Sequence, residues 1–206
     1  AGMFAAPVIA LALMRADRFY PRTLAPRARG QLRESLAYVR GRTDIRIILV
    51  LIFVVSALGM NFQMTSALMA TTVFGKDAGS FGILSSFMAV GSIMGATGAA
   101  RRTPRLRTIV LGAAFYGAAE IALGLSPSYW FFALMSIPTG FGMLTMNTSA
   151  NALIQTRTDP DKRGRVMALY SLVFLGATPI GSPLIGWVGR TMGARWALLV
   201  GGIASF

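Results

Sequence analysis

A chain of 206 residues without a single histidine or cysteine has few side chains that can move a proton, bind a metal or attack a bond. Disulfides, thiolate sites and cysteine nucleophiles are excluded. So are the commonest proton relay and the commonest zinc ligand. What remains is mainly amides, hydroxyls and guanidinium groups. Asn61 is followed by Gln63, Thr65 and Ser66. Asn147, Asn151 and Gln155 recur every four residues, so a helix would gather them into one polar stripe bordered by Thr148. Such groups either hold a hydrogen-bonding ligand or bond to one another. Glu120 is an isolated acid in an apolar stretch. Asp159, Asp161, Arg163 and Arg165 form a compact charged strip able to make ion pairs. No metal site and no cofactor is expected from this inventory.

The elements that must position these residues are set by hydropathy. Apolar residues make up 54% of the chain and charged residues only 13%, where a soluble domain would carry about a quarter charged. Mean hydropathy is +0.61. The stretches 129–155 and 166–189 carry no charge, and about 20 such residues suffice for a helix to cross the ~30 Å hydrocarbon core of a bilayer. The charged strip between them is therefore a loop between two membrane spans. Complete spans are expected over 47–74, 81–100, 108–125, 129–155 and 166–189. Ser126-Pro127-Ser128 signals a turn, and Tyr129 and Trp130 suit a membrane interface.

Two apolar stretches are shorter. Residues 1–14 cover about 21 Å as a helix, and 196–206 about 16 Å, both less than a crossing. They are expected to be the end and the start of helices, which makes the sequence a fragment of a longer protein. Between 15 and 46 lies a connection rich in arginine. Its part over 30–42 has Leu32, Leu36 and Val39 at helical spacing, the pattern of an amphipathic helix at a membrane surface.

The net charge of +13 does not indicate nucleic-acid binding, because no basic face with interleaved aromatics exists. The basic residues instead fall in clusters over 15–46, 101–107 and 157–165, with only Lys76, Arg190 and Arg195 in the alternate connections. Loops rich in Lys and Arg lie on the cytoplasmic side.

Three stretches carry a family resemblance. The first is 32–70, with Arg40-Gly41-Arg42 and Gly59-Met60-Asn61-Phe62-Gln63. The second is 73–102, with Phe74-Gly75-Lys76-Asp77-Ala78-Gly79-Ser80-Phe81-Gly82. The third runs from Asn147 through Asp159-Pro160-Asp161-Lys162-Arg163-Gly164-Arg165-Val166-Met167-Ala168-Leu169-Tyr170 to Thr178-Pro179-Ile180-Gly181-Ser182-Pro183 and Gly193-Ala194-Arg195-Trp196. These resemble the major facilitator superfamily, and within it the bacterial drug and siderophore exporters related to the enterobactin exporter. The resemblance implies an all-α membrane protein, the C-terminal six-helix half of a twelve-helix fold. The chain would then be the end of helix six, helices seven to eleven and the start of helix twelve. One departure is that Gly95 to Arg107 holds no acid ahead of its arginines, against a charge-relay role for that loop.

What the resemblance implies for function is secondary active transport. The expected activity is proton-coupled efflux of a small amphipathic compound across a bacterial cytoplasmic membrane by alternating access. The expected partners are the lipid bilayer, the missing N-terminal six-helix half, the small-molecule substrate and protons. The alternative is a half-transporter without activity of its own. An enzyme is not expected, since intramembrane catalysis needs clustered reactive groups. By resemblance Asn61, Gln63 and Thr65 lie on helix seven and Asn147, Thr148 and Asn151 on helix ten, both lining the central cavity. The competing reading is that these polar groups bond helices together.

Glu120, on helix nine, is a proton-coupling candidate by its placement in a span. It is also close enough to the span's end to snorkel to water. Asp159, Asp161, Arg163 and Arg165 would close a cytoplasmic gate or simply form a solvated loop. Gly91 and Gly95 make a close-packing face, and Pro138, Pro179 and Pro183 should bend their helices.

Overall fold

Apolar sequence punctuated by short polar turns folds here into helices. A computed structural model of the chain describes residues 31–206, and every regular element in it is helical. The helix end expected over 1–14 and the first part of the 15–46 connection lie outside the described residues. In chain order the helices are α1 (Gln31–Arg40), α2 (Thr43–Val54), α3 (Phe62–Leu68), α4 (Ala78–Ala100), α5 (Leu106–Gly124), α6 (Tyr129–Arg157), α7 (Arg163–Thr191) and α8 (Ala194–Ser205). Their starts have local causes. Asp77 caps α4 by accepting from the Ser80 amide at 3.2 Å, and Ser128 caps α6 by accepting from the Phe131 amide at 3.3 Å. Gly193, at φ 100°, makes the turn between α7 and α8.

Four segments are long and apolar enough to cross a bilayer: Thr43–Val73, Gly79–Ala100, Leu106–Gly124 and Arg163–Thr191. The sequence suggested a fifth over 129–155. α6 is long enough at 29 residues, but its hydroxyl and amide side chains dilute its hydropathy, so it is not one of the four. Its position explains why that is tolerated. α6 packs between α4 on one side and α5 on the other, so much of its surface meets protein.

The first span departs most from expectation. Instead of one continuous helix over 47–74, α2 passes into a π turn at Val55–Gly59, the chain breaks at Met60–Asn61, and α3 passes into a second π turn at Met69–Val73. Met60 (φ −76°, ψ 41°) and Asn61 (φ −104°, ψ 25°) lie outside helical geometry. A π turn widens the helix by one residue and shifts the register of its hydrogen bonds, a feature frequent at functional sites.

Two buried clusters hold the bundle. One joins α2, α5, α6 and α7 around Tyr116, Met146 and Val166. The other joins α3, α4, α6 and α8 around Leu84, Phe132 and Leu198. Backbone contact is close where glycines permit it. A Cβ added to Gly91 would stand 1.8 Å from the Ile137 carbonyl oxygen, and one on Gly95 would stand 2.3 Å from that of Phe141. These two glycines thus seat α4 directly on α6.

Candidate functional site

The break in the first span reroutes its backbone hydrogen bonds. In an unbroken helix the Asn61 amide would donate to the Ala57 carbonyl. Here the Asn61 amide turns to Gly59 (2.7 Å), and the Asn61 side chain takes its place, with Nδ2 donating to the Ala57 carbonyl at 2.9 Å. Oδ1 of the same amide accepts from the Ser182 hydroxyl on α7 at 2.7 Å. α7 can come this near because position 181 is glycine: a Cβ there would stand 1.6 Å from the Ala57 carbonyl oxygen. Asn61 is 5% exposed, and both halves of its amide are paired.

Beside it opens a cleft of about 580 Å³ between α3, α4, α6 and α7. Asn61 and Gln63 line it, with Met60, Met64, Met88 and Met143 supplying the apolar walls and Ser85, Ser92, Thr178 and Ser182 the other polar groups. None of the lining residues is charged. Thr65 is not among them. It is buried and donates to the Asn61 and Phe62 carbonyls, which ties down the first turn of α3.

The other expected polar residues form a separate hollow of about 420 Å³ lined by Asn147, Thr148, Asn151 and Gln155. Met143 lines the first cleft and lies one helical turn before Asn147, so both concavities follow the same face of α6. Asn147 Oδ1 accepts from the Tyr170 hydroxyl at 3.2 Å. Gln155 Nε2 donates to Asn151 Oδ1 at 2.5 Å.

Glu120 does not snorkel. It is 2% exposed, because α5 is covered by α8 and by the π turn at that level. Pro138 lies within α6, Pro179 and Pro183 within α7.

A family model described as transmembrane secretion effector matches residues 2–206. The chain belongs to this family. It is a group within the major facilitator superfamily, which makes the chain a multi-pass membrane protein of a transporter family. No curated protein and no solved structure matches the chain.

The charged strip at 159–165 meets α1. The carboxylates of Asp159 and Asp161 make no ion pair among the described residues, and Arg163 is exposed. Arg165 reaches back to Glu34 on α1 at 2.8 Å. The centre of the arrangement is Tyr38. Its ring lies under Lys162, with Nζ 4.7 Å from the ring centroid. Its hydroxyl accepts from Arg42 Nη1 (3.3 Å) and from the Asp159 amide (3.4 Å). Arg42 also bonds to Asp44 and to the Arg157 carbonyl (3.0 Å), and Asp44 holds the Arg42 guanidinium above its ordinary pKa. Through these contacts α1 docks its Ser35 and Val39 side on the protein, while Leu36 stays exposed. Sequence reasoning missed Tyr38, Glu34, Arg42 and Asp44. An aromatic residue four positions before an arginine was the available signal. Tyr116, Tyr170 and Ser182 were missed as well, because nothing in a helical pattern marks which hydroxyl meets which distant carbonyl.

Proposed function

We propose that the chain is part of a secondary active transporter that exports a small amphipathic compound by alternating access, with the cleft at Asn61 as its binding place. The observation that carries this is the combination of a broken spanning helix with a mainly apolar, uncharged cleft of about 580 Å³ at the break. Small-molecule sites are mostly apolar concavities with a few placed polar groups, and discontinuous spanning helices form midplane sites in transporters. Methionine walls adapt to ligands of varied shape.

The partner in this proposal is a second six-helix half facing the cleft. α4 and α7 flank the cleft and are the least buried spans. Each has 28% of its span window buried, against 56% for the first span. Exposed apolar residues such as Leu175, Ile180 and Leu184 on α7 would meet that half or lipid. Proton exchange as the driving force and the bacterial cytoplasmic membrane as the location belong to the same proposal.

The test is efflux of a fluorescent lipophilic dye from cells producing the chain, at verified membrane expression. Efflux above an empty-vector control that falls on Asn61→Ala supports the reading. Efflux equal to the control shows that this chain does not transport the dye by itself. The half-transporter alternative then requires activity to return on co-production with an N-terminal six-helix half.

A further inference from the structure

Glu120 projects into a pocket that exists only because two positions facing it are glycine. A Cβ on Gly59, the last residue of the π turn, would stand 3.1 Å from Glu120 Oε2 and 2.7 Å from Ser205 Oγ. A Cβ on Gly201 of α8 would stand 2.9 Å from Glu120 Oε1 and 2.6 Å from the Leu58 carbonyl oxygen. The carboxyl therefore fills the space between the helix break and α8. Its Oε2 has no hydrogen-bond partner. One helical turn away, the Tyr116 ring borders the same Gly59 position, 2.8 Å from where a Cβ would stand, and its hydroxyl donates to the Gly59 carbonyl at 2.7 Å.

We propose that Glu120 is a proton-binding site that sets the geometry of the helix break and thereby acts on the cleft at Asn61, two residues beyond Gly59. One proton binds at Oε2, converting carboxylate to carboxylic acid, and no other bond changes. The two states make different demands on their surroundings. The acid carries its own donor and makes no demand on the Tyr116 hydroxyl, which stays on Gly59. The carboxylate accepts only, and the nearest donors are the Tyr116 and Ser205 hydroxyls. Drawing Tyr116 to the carboxylate releases the Gly59 carbonyl and loosens the break. The Tyr116 hydroxyl is thus a two-position element that the proton biases.

Other titratable or charged groups stand apart from this exchange. On α8 the charged residue is Arg195, whose Nη1 donates to the Gly124 carbonyl at 3.3 Å. α6 offers Tyr129, which donates to the Ser80 carbonyl (2.7 Å), and Arg157 at its other end. α2 offers Asp44 and Arg46 in its first turn. Among the described residues no ion pair includes Glu120.

The inference rests on the transport reading only for the meaning of the cleft, and its test uses no transported compound, so the two fail separately. Because the chain lacks cysteine, Gln63→Cys gives a single site in the cleft for an environment-sensitive fluorophore. In lipid nanodiscs at constant sodium, its emission should titrate with pH. The titration should disappear in Glu120→Gln, persist with a moved midpoint in Glu120→Asp, and shrink in Tyr116→Phe. A pH-difference infrared spectrum of the unlabelled chain should show a carboxylic C=O band that Glu120→Gln lacks. An unchanged titration in Glu120→Gln overturns the proposal, as does emission that follows sodium at constant pH. If Glu120→Gln does not fold, the Asp variant and the infrared band decide. A midpoint and band unmoved by Glu120→Asp, or no titrating band, also overturn it.

Discussion

The Ser182 hydroxyl donates to Asn61 Oδ1 at 2.7 Å across 121 positions of sequence. This bond joins α7 to the broken first span at the edge of the cleft, and the other end of the same amide replaces a missing backbone donor at Ala57. Asn61 is thus at once a lining residue and a brace.

Replacing either partner should have unequal effects. Ser182→Ala removes one bond and should lower stability by about 0.5–1.5 kcal/mol. Asn61→Ala also strands the Ala57 carbonyl and should cost more, about 1–3 kcal/mol. Thermal unfolding of detergent-solubilised single and double variants checks this. A double variant whose loss equals the sum of the two singles would mean that the bond contributes nothing.

Glycine positions on α7 should divide sharply. Gly181→Ala drives a Cβ into the Ala57 carbonyl, whereas a Cβ at Gly176 meets nothing within 4 Å. Gly181→Ala should cost at least the ~1–3 kcal/mol of overpacking, because the obstacle is backbone. Gly176→Ala should be close to neutral. Retained melting temperature in Gly181→Ala would contradict the close approach.

The seat of α1 should depend on Tyr38 more than on its ion pair. Glu34 and Arg165 are partly exposed, and such a pair contributes about 0–1 kcal/mol and weakens with salt. Glu34→Gln should therefore leave amide exchange in α1 little changed. Tyr38→Ala removes the ring under Lys162 and the acceptor for Arg42 and Asp159, and should speed exchange throughout α1. The reverse order of effects would refute this ranking.

Asp77 ties the start of α4 to pH. Its hydrogen bonds from the Ser80 hydroxyl and amide hold the carboxylate below its ordinary pKa of 3.8. A lowered folded-state pKa means that the cap is fully present above that value and lost as pH falls through the depressed one. The protection of amides in the first turn of α4, taken relative to their unstructured exchange rates, should fall at acid pH. Asp77→Asn should flatten that dependence. A variant that keeps the acid-linked loss of protection would assign it to another group.

Much of the architecture was legible because hydropathy and turn chemistry are local. The proline and serines of 126–128 precede α6, Gly193 precedes α8, and charge-free runs lie within long helices. The break at Met60–Asn61 was not legible, since no proline marks it and the small and β-branched residues of both π turns also occur within the unbroken spans. The polar residues were visible, but their grouping was not. Asn61 and Gln63 share one hollow, Asn147, Thr148 and Asn151 share another, and Thr65 lies in neither.

By itself the sequence determined that this is a multi-pass helical membrane protein with a handful of polar side chains inside it. An apolar solvent leaves a backbone few ways to satisfy its hydrogen bonds other than as helices. Tertiary structure alone decided where those side chains go. It brought Ser182 to Asn61, drew Tyr116 to the Gly59 carbonyl, and enclosed Glu120 between two glycines. Those outcomes depend on which helix faces approach and at what height, a property of packed surfaces rather than of any local run of residues.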